Sequence, residues 1–315
     1  RGKFFLLKNT DLENMENKLV NLVYGDTDSL YMSYDGLLNT IEGVETMTLE
    51  EKRDIIARIN QEFLDKFNEK LMDDYYASRH VESCHKFELE TIAKAGIWLD
   101  VKKRYAQILL WKDGHKFDTS HLPLKAKGME IVKASYPKAA REMLKKIIYN
   151  LIDTSGNAMN ETYGLVGELY EEWMGLPVEA MCPSISVNGY KSYVISDNDP
   201  KGVMCHTGTP FQVRGLALYN WFREVKKLPG DPIYGGKMRY YVCRHSNRRA
   251  SDKAPVFVFQ AGKLPDWALK EAPIDKEAMF RKCVLDPLNR VLTAIGLYEV
   301  NINGGVNVDL FGDFI

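Results

Sequence analysis

Cysteine is scarce in this chain of 315 residues, and its five cysteines (Cys84, Cys182, Cys205, Cys243 and Cys283) include no Cys-x-x-Cys pair. That argues against zinc ribbons and cluster sites, and an odd, dispersed set reads as free thiols of a reducing compartment. The six histidines form no ligand-like pair either and read as surface or packing residues. No apolar run is long enough to span a bilayer, and no signal-peptide pattern opens the chain. Internal repeats and low-complexity linkers are missing as well. Neither sign of charge dominates, since the formal net charge is −1. What is there is a hydrophobic content of 45%, ample for a core and for about two domains.

The small net charge hides segregation. Residues 42–93 carry 7 Lys/Arg against 13 Asp/Glu, whereas 94–150 carry 13 against 5 and 214–253 carry 10 against 3. Two basic blocks in a near-neutral chain fit a protein that cradles phosphates on one face, or a solvated basic surface with no partner.

The most informative stretch is Tyr24-Gly25-Asp26-Thr27-Asp28-Ser29. Leu19, Val20, Leu22, Val23 and Tyr24 lead in and Leu30, Tyr31, Met32 and Tyr34 lead out, residues that strands favour. The pattern predicts a β-hairpin with Gly25 permitting the tight turn and two carboxylates at its tip. Carboxylate oxygens held there suit a hard divalent cation such as Mg²⁺, and a pair of ions can clamp a transferring phosphate. Asp-Thr-Asp is also ordinary turn chemistry. A calcium loop would need a ladder of further oxygen ligands and a closing Glu, which are absent.

Thr48 to Ala77 predicts a helix packed under a sheet. Thr48 and Glu51 form a capping box, and Ile55, Ile56, Ile59, Phe63, Phe67, Leu71 and Tyr75 recur at helical spacing. Phe87 to Trp98 reads as a strand and connection. Arg104 to Lys116 reads as a second hairpin around Asp113-Gly114. The cluster Lys102-Lys103-Arg104 then falls at the start of its first strand, so Lys102 and Arg104 should share one face and Lys103 the other. Beyond Lys133 the pattern turns helical. Pro137 suits a first helical turn, and Ala140, Met143, Leu144, Ile147, Ile148 and Leu151 form a stripe. Thr154-Ser155-Gly156-Asn157 breaks it, and Leu165, Leu169 and Trp173 begin another. Tyr190 to Ile195, Lys237 to Arg244 and Val256 to Gln260 look strand-like.

The whole hexapeptide resembles the third palm motif of family B DNA polymerases. Val101-Lys102-Lys103-Arg104-Tyr105 resembles that family's Lys-Lys-Arg-Tyr motif, which contacts the duplex near the primer end. Gly128-Met129-Glu130, the Pro137-Lys138-Ala139 helix start and Pro210-Phe211-Gln212-Val213-Arg214-Gly215 are similar to the replicative polymerases of T4-like bacteriophages, in family order. The resemblance implies an α+β fold: an antiparallel palm sheet with packed helices over residues 1–130, then a mainly helical thumb with small β elements over 131–302, and a tail over 303–315. It implies DNA-templated transfer from a dNTP to a primer 3′-hydroxyl with two Mg²⁺ ions. Asp28 would be a direct ligand and Asp26 a nearby ligand or electrostatic partner. Lys102, Lys103, Arg104, Tyr105, Lys127, Arg214, Arg244, Arg248 and Arg249 would hold the primer–template. The place of action would be the cytoplasm, that of a bacterial host if a phage encodes the chain, with no membrane partner.

Other family parts are missing. The first palm motif needs a Pro after its Tyr, but Met32 follows Asp28-Ser29-Leu30-Tyr31. The finger motif needs a Lys four residues before its Asn and a Ser after it, but Gly156 and Glu161 flank Asn160 in those places. Neither look-alike qualifies. The chain is therefore expected to be the C-terminal part of a polymerase, as a fragment, a proteolytic product or half of a split enzyme. The remaining palm aspartate, the fingers and any exonuclease would come from an N-terminal part, with which this chain would share the two Mg²⁺ ions. The rival readings are a non-catalytic DNA-binding or clamp-docking subunit, and an RNA-templated polymerase, which typically carries adjacent aspartates at this tip.

In the tail Val308-Asp309-Leu310-Phe311-Gly312-Asp313-Phe314-Ile315, apolar residues stand beside acidic ones. Burying each large apolar side chain is worth roughly 1.5–3 kcal/mol, so a surface should cover Leu310, Phe311, Phe314 and Ile315. That surface is either the chain's own thumb or, as the resemblance implies, a ring-shaped sliding clamp. Deleting Leu310 to Ile315 should leave folding and single-nucleotide incorporation intact and remove clamp-stimulated long synthesis. A lowered melting temperature with clamp stimulation retained would make the tail structural.

Overall fold

Apolar runs broken by turn residues give the first part of the chain an antiparallel sheet. The computed structural model describes residues 3–4, 21–26, 29–82, 86–155, 159–244 and 256–305, with backbone alone for 3, 4, 26, 71–73 and 159. The chain divides into two units. The first is Arg1–Met129 with Ile148–Met159 and Ala294–Gly296, and the second is Glu130–Ile147 with Asn160–Thr293 and Leu297–Ile315.

In the first unit, strands β1 (Lys3–Phe4), β4 (Thr91–Trp98), β5 (Tyr105–Lys112) and β6 (His115–Lys116) pair in that order, with β7 (Leu124–Lys127) also on β5. β5 is central, and Tyr105 through Leu110 are all buried, the polar Gln107 included. Its turn into β6 is the predicted one. Asp113 and Gly114 both have positive φ, 47° and 86°, as a type I′ turn requires. β2 (Asn21–Asp26) and β3 (Ser29–Ser33) form a separate two-stranded sheet, followed by the short α1 (Asp35–Leu38).

Helix α2 (Leu49–Lys66) starts where the sequence says, with Thr48 and Glu51 in a reciprocal capping box. It runs into a π-helical segment at Phe67–Met72 and then α3 (Asp73–Ala77). Residues four apart drift about 40° per step around an α-helix. The wider π segment takes up part of that drift along the spacing Ile59, Phe63, Phe67, Leu71, Tyr75. The expected burial of this stripe is only partly realised. Phe63 is 55% and Tyr75 50% exposed, while the buried positions are Arg53 and Asn60. Asn60 is satisfied there, accepting from the Tyr34 hydroxyl at 2.6 Å and donating to the Ile56 carbonyl at 2.8 Å.

After the first unit's sheet come α4 (Lys138–Asp153) and α5 (Met159–Met174). The Pro137 carbonyl accepts the Arg141 N–H at the start of α4. In the second unit α6 (Val178–Met181), β8 (Ser184–Val187), α7 (Tyr190–Tyr193), β9 (Val194–Ser196) and β10 (Met204–Cys205) precede α8 (Phe211–Val225). Then come β11 (Gly236–Val242), β12 (Val256–Gln260), α9 (Ala268–Glu271), α10 (Lys276–Phe280), a second π segment at Arg281–Leu285, and α11 (Asp286–Ala294). The strand expected over Tyr190 to Ile195 is a correction. Gly189, at φ 70°, turns the chain into a helical turn, and extended backbone begins only at Val194.

β11 lies between β8 and β12, and α8 packs on β12. Trp173, Tyr241, Phe257, Phe259 and Phe280 are fully buried in this unit. Their polar atoms find backbone partners: the Trp173 indole donates to the Lys276 carbonyl at 3.0 Å and the Tyr241 hydroxyl to the Ala272 carbonyl at 2.8 Å. Cys182, Cys243 and Cys283 are buried free thiols, and burial pushes Cys243 and Cys283 each up to about 12. Among the described residues no helix is long and apolar enough to cross a membrane.

Gly215 is where α8 meets β12. A Cβ there would sit 2.6 Å from Val258 Cγ2 and 2.8 Å from the Val256 carbonyl oxygen. The backbone oxygen cannot step aside, so Gly215→Ala should cost about 1–3 kcal/mol, read as a lower urea midpoint at unchanged slope.

Candidate functional site

The acidic hairpin and the basic motif, far apart in sequence, meet in the first unit. Along β2 and β3 the ladder ends at the pair Asp26↔Ser29. Thr27 and Asp28 lie outside the described residues. Gly25 is not in the turn, as expected, but inside the ladder opposite Leu30. The reason is that strand pairing runs on past Gly25 to Asp26↔Ser29.

Lys102-Lys103-Arg104 is not on a strand. β4 and β5 are joined through Leu99–Arg104, with Trp98 opposite Tyr105 and the Leu99 N–H bonded to the Arg104 carbonyl at 3.0 Å. Strand alternation therefore does not decide where these side chains point. Lys103 takes φ 62°, the left-handed region. Its N–H donates to the Tyr24 hydroxyl at 2.9 Å, across 79 positions. Gly128, at φ 69°, abuts the other side of the turn, and a Cβ there would overlap the Lys103 carbonyl oxygen. Lys127 is the register partner of Tyr105, so it stands beside the same turn.

Four aromatic rings tie the hairpin to the sheet. Tyr31 lies 5.4 Å from Tyr105, 5.5 Å from Trp98 and 5.8 Å from Tyr24 between ring centroids. The Tyr31 hydroxyl donates to the Tyr105 hydroxyl at 2.9 Å. Burial first, and then that bond, push the Tyr31 hydroxyl far above its usual range, so it stays protonated and remains a donor. Gly96 makes room for this cluster, because a Cβ would lie 2.6 Å from Trp98 Cη2. Tyr105 is only 4% exposed. Its ring packs between the sheet and the hairpin, against Tyr31.

The basic block of 94–150 is sorted by the structure. Lys94 pairs with Asp153 at 2.6 Å, Lys116 with Asp54 at 2.9 Å and Lys125 with Glu90 at 2.7 Å. Lys125 holds the Glu90 carboxyl below its ordinary range. In the second unit Lys133 pairs with the buried Glu130 at 3.1 Å, which Arg290 also meets at 3.4 Å. Lys102, Lys103 and Lys127 are exposed, and Arg104 is half-buried. Arg214 is half-buried in α8, where its Nε donates to the Thr209 carbonyl at 3.1 Å. Arg244 is exposed just past β11. Arg248, Arg249, Leu310, Phe311, Phe314 and Ile315 lie outside the described residues. Among the described residues no three His, Cys, Asp or Glu side chains gather as a metal site.

A groove of about 950 Å³ runs beside the hairpin, lined among others by Leu30, Met32, Ile56, Phe63 and Phe87. Leu30 is 60% exposed, and Gln107, 1% exposed, has its amide nitrogen in the wall without a partner. Sequence reasoning missed Tyr24, Tyr31, Trp98 and Gly96 as a working group. The available signals were a glycine inside a strand pattern and four aromatics flanking two motifs.

No protein-family model matches the chain. It is 25% identical over 295 residues to the DNA-directed DNA polymerase of Enterobacteria phage T4, over 87% of this chain and 30% of that one. It is 27% identical over 251 residues to the DNA-directed DNA polymerase of Escherichia phage RB69, over 74% of this chain and 25% of that one. The chain spans less than a third of the length of these curated relatives, so their names bear out the resemblance without reaching the whole.

Gly128 and Gly114 both have positive φ, but a Cβ at Gly114 meets nothing within 4 Å. Gly114→Ala should cost about 1–2 kcal/mol of backbone strain alone. Gly128→Ala adds the overlap with Lys103 and should cost about 1–3 kcal/mol more by thermal unfolding.

Proposed function

We propose that this chain is the end of the palm and the thumb of a family B DNA-directed DNA polymerase, and that it works with an N-terminal part of the enzyme. The observation that carries this reading is the meeting of the two motifs: the hairpin that bears Asp26 and Asp28 is hydrogen-bonded, through Tyr24, to the turn that bears Lys102, Lys103 and Arg104. A carboxylate pair beside a cluster of cations is what a primer terminus needs, with metal ions at the reacting phosphate and ammonium groups on the flanking backbone. The names of the phage relatives point the same way.

In this reading the primer 3′-hydroxyl attacks the α-phosphate of a dNTP and pyrophosphate leaves. All-oxygen donors such as Asp28 and Asp26 fit Mg²⁺, which when bound would neutralise charge on the transferring phosphate. Lys102, Lys103, Arg104 and Lys127 contact the duplex backbone near the primer end, and Arg214, Arg244, Arg248 and Arg249 are the thumb's contacts to it. Minor-groove acceptors are alike for all correct pairs, so cations there sense pairing geometry rather than sequence. The N-terminal part brings the further palm aspartate and the finger lysine, and the half-open groove beside the hairpin, with its exposed Leu30 and Phe63, is the surface it covers. A sliding clamp at the tail completes the set of partners.

The test is reconstitution. The isolated chain should extend no primer, and a polymerase N-terminal part bearing the missing aspartate and lysine should restore Mg²⁺-dependent extension. Asp28→Ala should abolish it in the mixture. Robust extension by the isolated chain would overturn this account.

A further inference from the structure

Tyr24 opens the acidic motif two residues before Asp26. Among the described residues, the hairpin β2–β3 and the sheet that carries the basic turn share no backbone ladder. Their relative placement therefore rests on side chains, and one of those bonds ends on a backbone group of the basic turn itself. Lys103 sits at φ 62°, the left-handed region that an ordinary residue rarely adopts. Gly128 abuts its carbonyl side, and the Tyr24 hydroxyl accepts its N–H at 2.9 Å. With both ends of the residue engaged, the point from which the Lys103 side chain departs is set. The bond from the Leu99 N–H to the Arg104 carbonyl already closes the turn as a hairpin tip. Tyr24 is not needed for that closure, and what it adds is a link to the strand that carries Asp26.

We propose that Tyr24 is a positioning residue: its hydroxyl registers the Lys102–Arg104 turn to the acidic hairpin, so that Lys103 meets a duplex phosphate at a set distance from the carboxylates. The proposal rests on the nucleic-acid reading given above. It requires nothing of the Tyr24 ring, which packs 5.8 Å from Tyr31 and 6.3 Å from Tyr105.

Tyr24→Phe keeps the ring and removes the hydroxyl. The exposed Lys103 N–H can turn to water, so the melting temperature should hardly move. Two readouts should move. Without DNA, amide hydrogen exchange at Lys103 should quicken about five-fold, the worth of one ordinary hydrogen bond. With a short primer–template duplex, affinity by fluorescence anisotropy should fall about five-fold. The slope of log affinity against log salt should fall toward that of Lys103→Ala, which sits about 0.9 lower because one fewer phosphate is neutralised. In a Lys103→Ala background, Tyr24→Phe should cause no further drop in affinity. Unchanged exchange at Lys103, or effects that multiply in the double variant, would overturn the role of Tyr24. An unmodified chain that binds no duplex would instead overturn the phosphate reading of the turn, and the proposal with it.

Discussion

The contact of Tyr31 with Tyr105, ring on ring and hydroxyl on hydroxyl, is what the site depends on. A two-stranded hairpin is marginal in water by itself. β2–β3 has no third strand among the described residues, and Leu22 and Leu30 gain little from burial, being 64% and 60% exposed. The hairpin is held instead by the knot of Tyr24, Tyr31, Trp98 and Tyr105. Aromatic pairs add about 0.5–1.5 kcal/mol each beyond burial, enough together to fix one short element. Burial and the bond to Tyr105 raise the Tyr31 hydroxyl above its ordinary value, so it keeps its proton throughout the physiological range. Gly96 belongs to the same constraint, since any side chain there would displace Trp98 and loosen the knot.

The second unit solves a different problem. Its helices and three-stranded sheet bury polar groups, and backbone or opposite charge answers them at Asn220 and Glu130. Asn220 acts as a piece of strand, accepting from the Ile233 N–H at 2.9 Å and donating to the Ile233 carbonyl at 2.8 Å. Glu130 is 5% exposed and meets two cations, so removing either Lys133 or Arg290 leaves the carboxylate half-answered. Breaking such a buried pair is costly even where forming it gains little.

Features that obey short-range rules were legible in the sequence. The Thr48–Glu51 box, the Asp113-Gly114 turn and the stripe of α4 each follow from residues within a few positions of one another. The Lys-Lys-Arg turn was not legible, because no Gly or Pro marks it. Lys103 takes a glycine-like conformation beside Tyr24 and Gly128, both distant in sequence. The charge tally also misled in part: counting cations cannot reveal that Lys94 is answered by Asp153, 59 positions away. The hairpin that bears the acidic motif was legible from its strand-forming residues, whereas Tyr24, Tyr31 and Trp98, which pack together beside it, were read merely as strand residues. Pattern reveals which residue types can do chemistry, while the packing that aims them is tertiary.

The π segment at Phe67–Met72 has a consequence for changes in chain length. An i→i+5 bond encloses one more residue than the bonds on either side of it. A helix can thus absorb a single inserted residue there and keep its downstream face toward the same neighbours. One extra residue at that point is therefore accommodated without turning α3 onto a new face. Arg281–Leu285 is a second place of that kind.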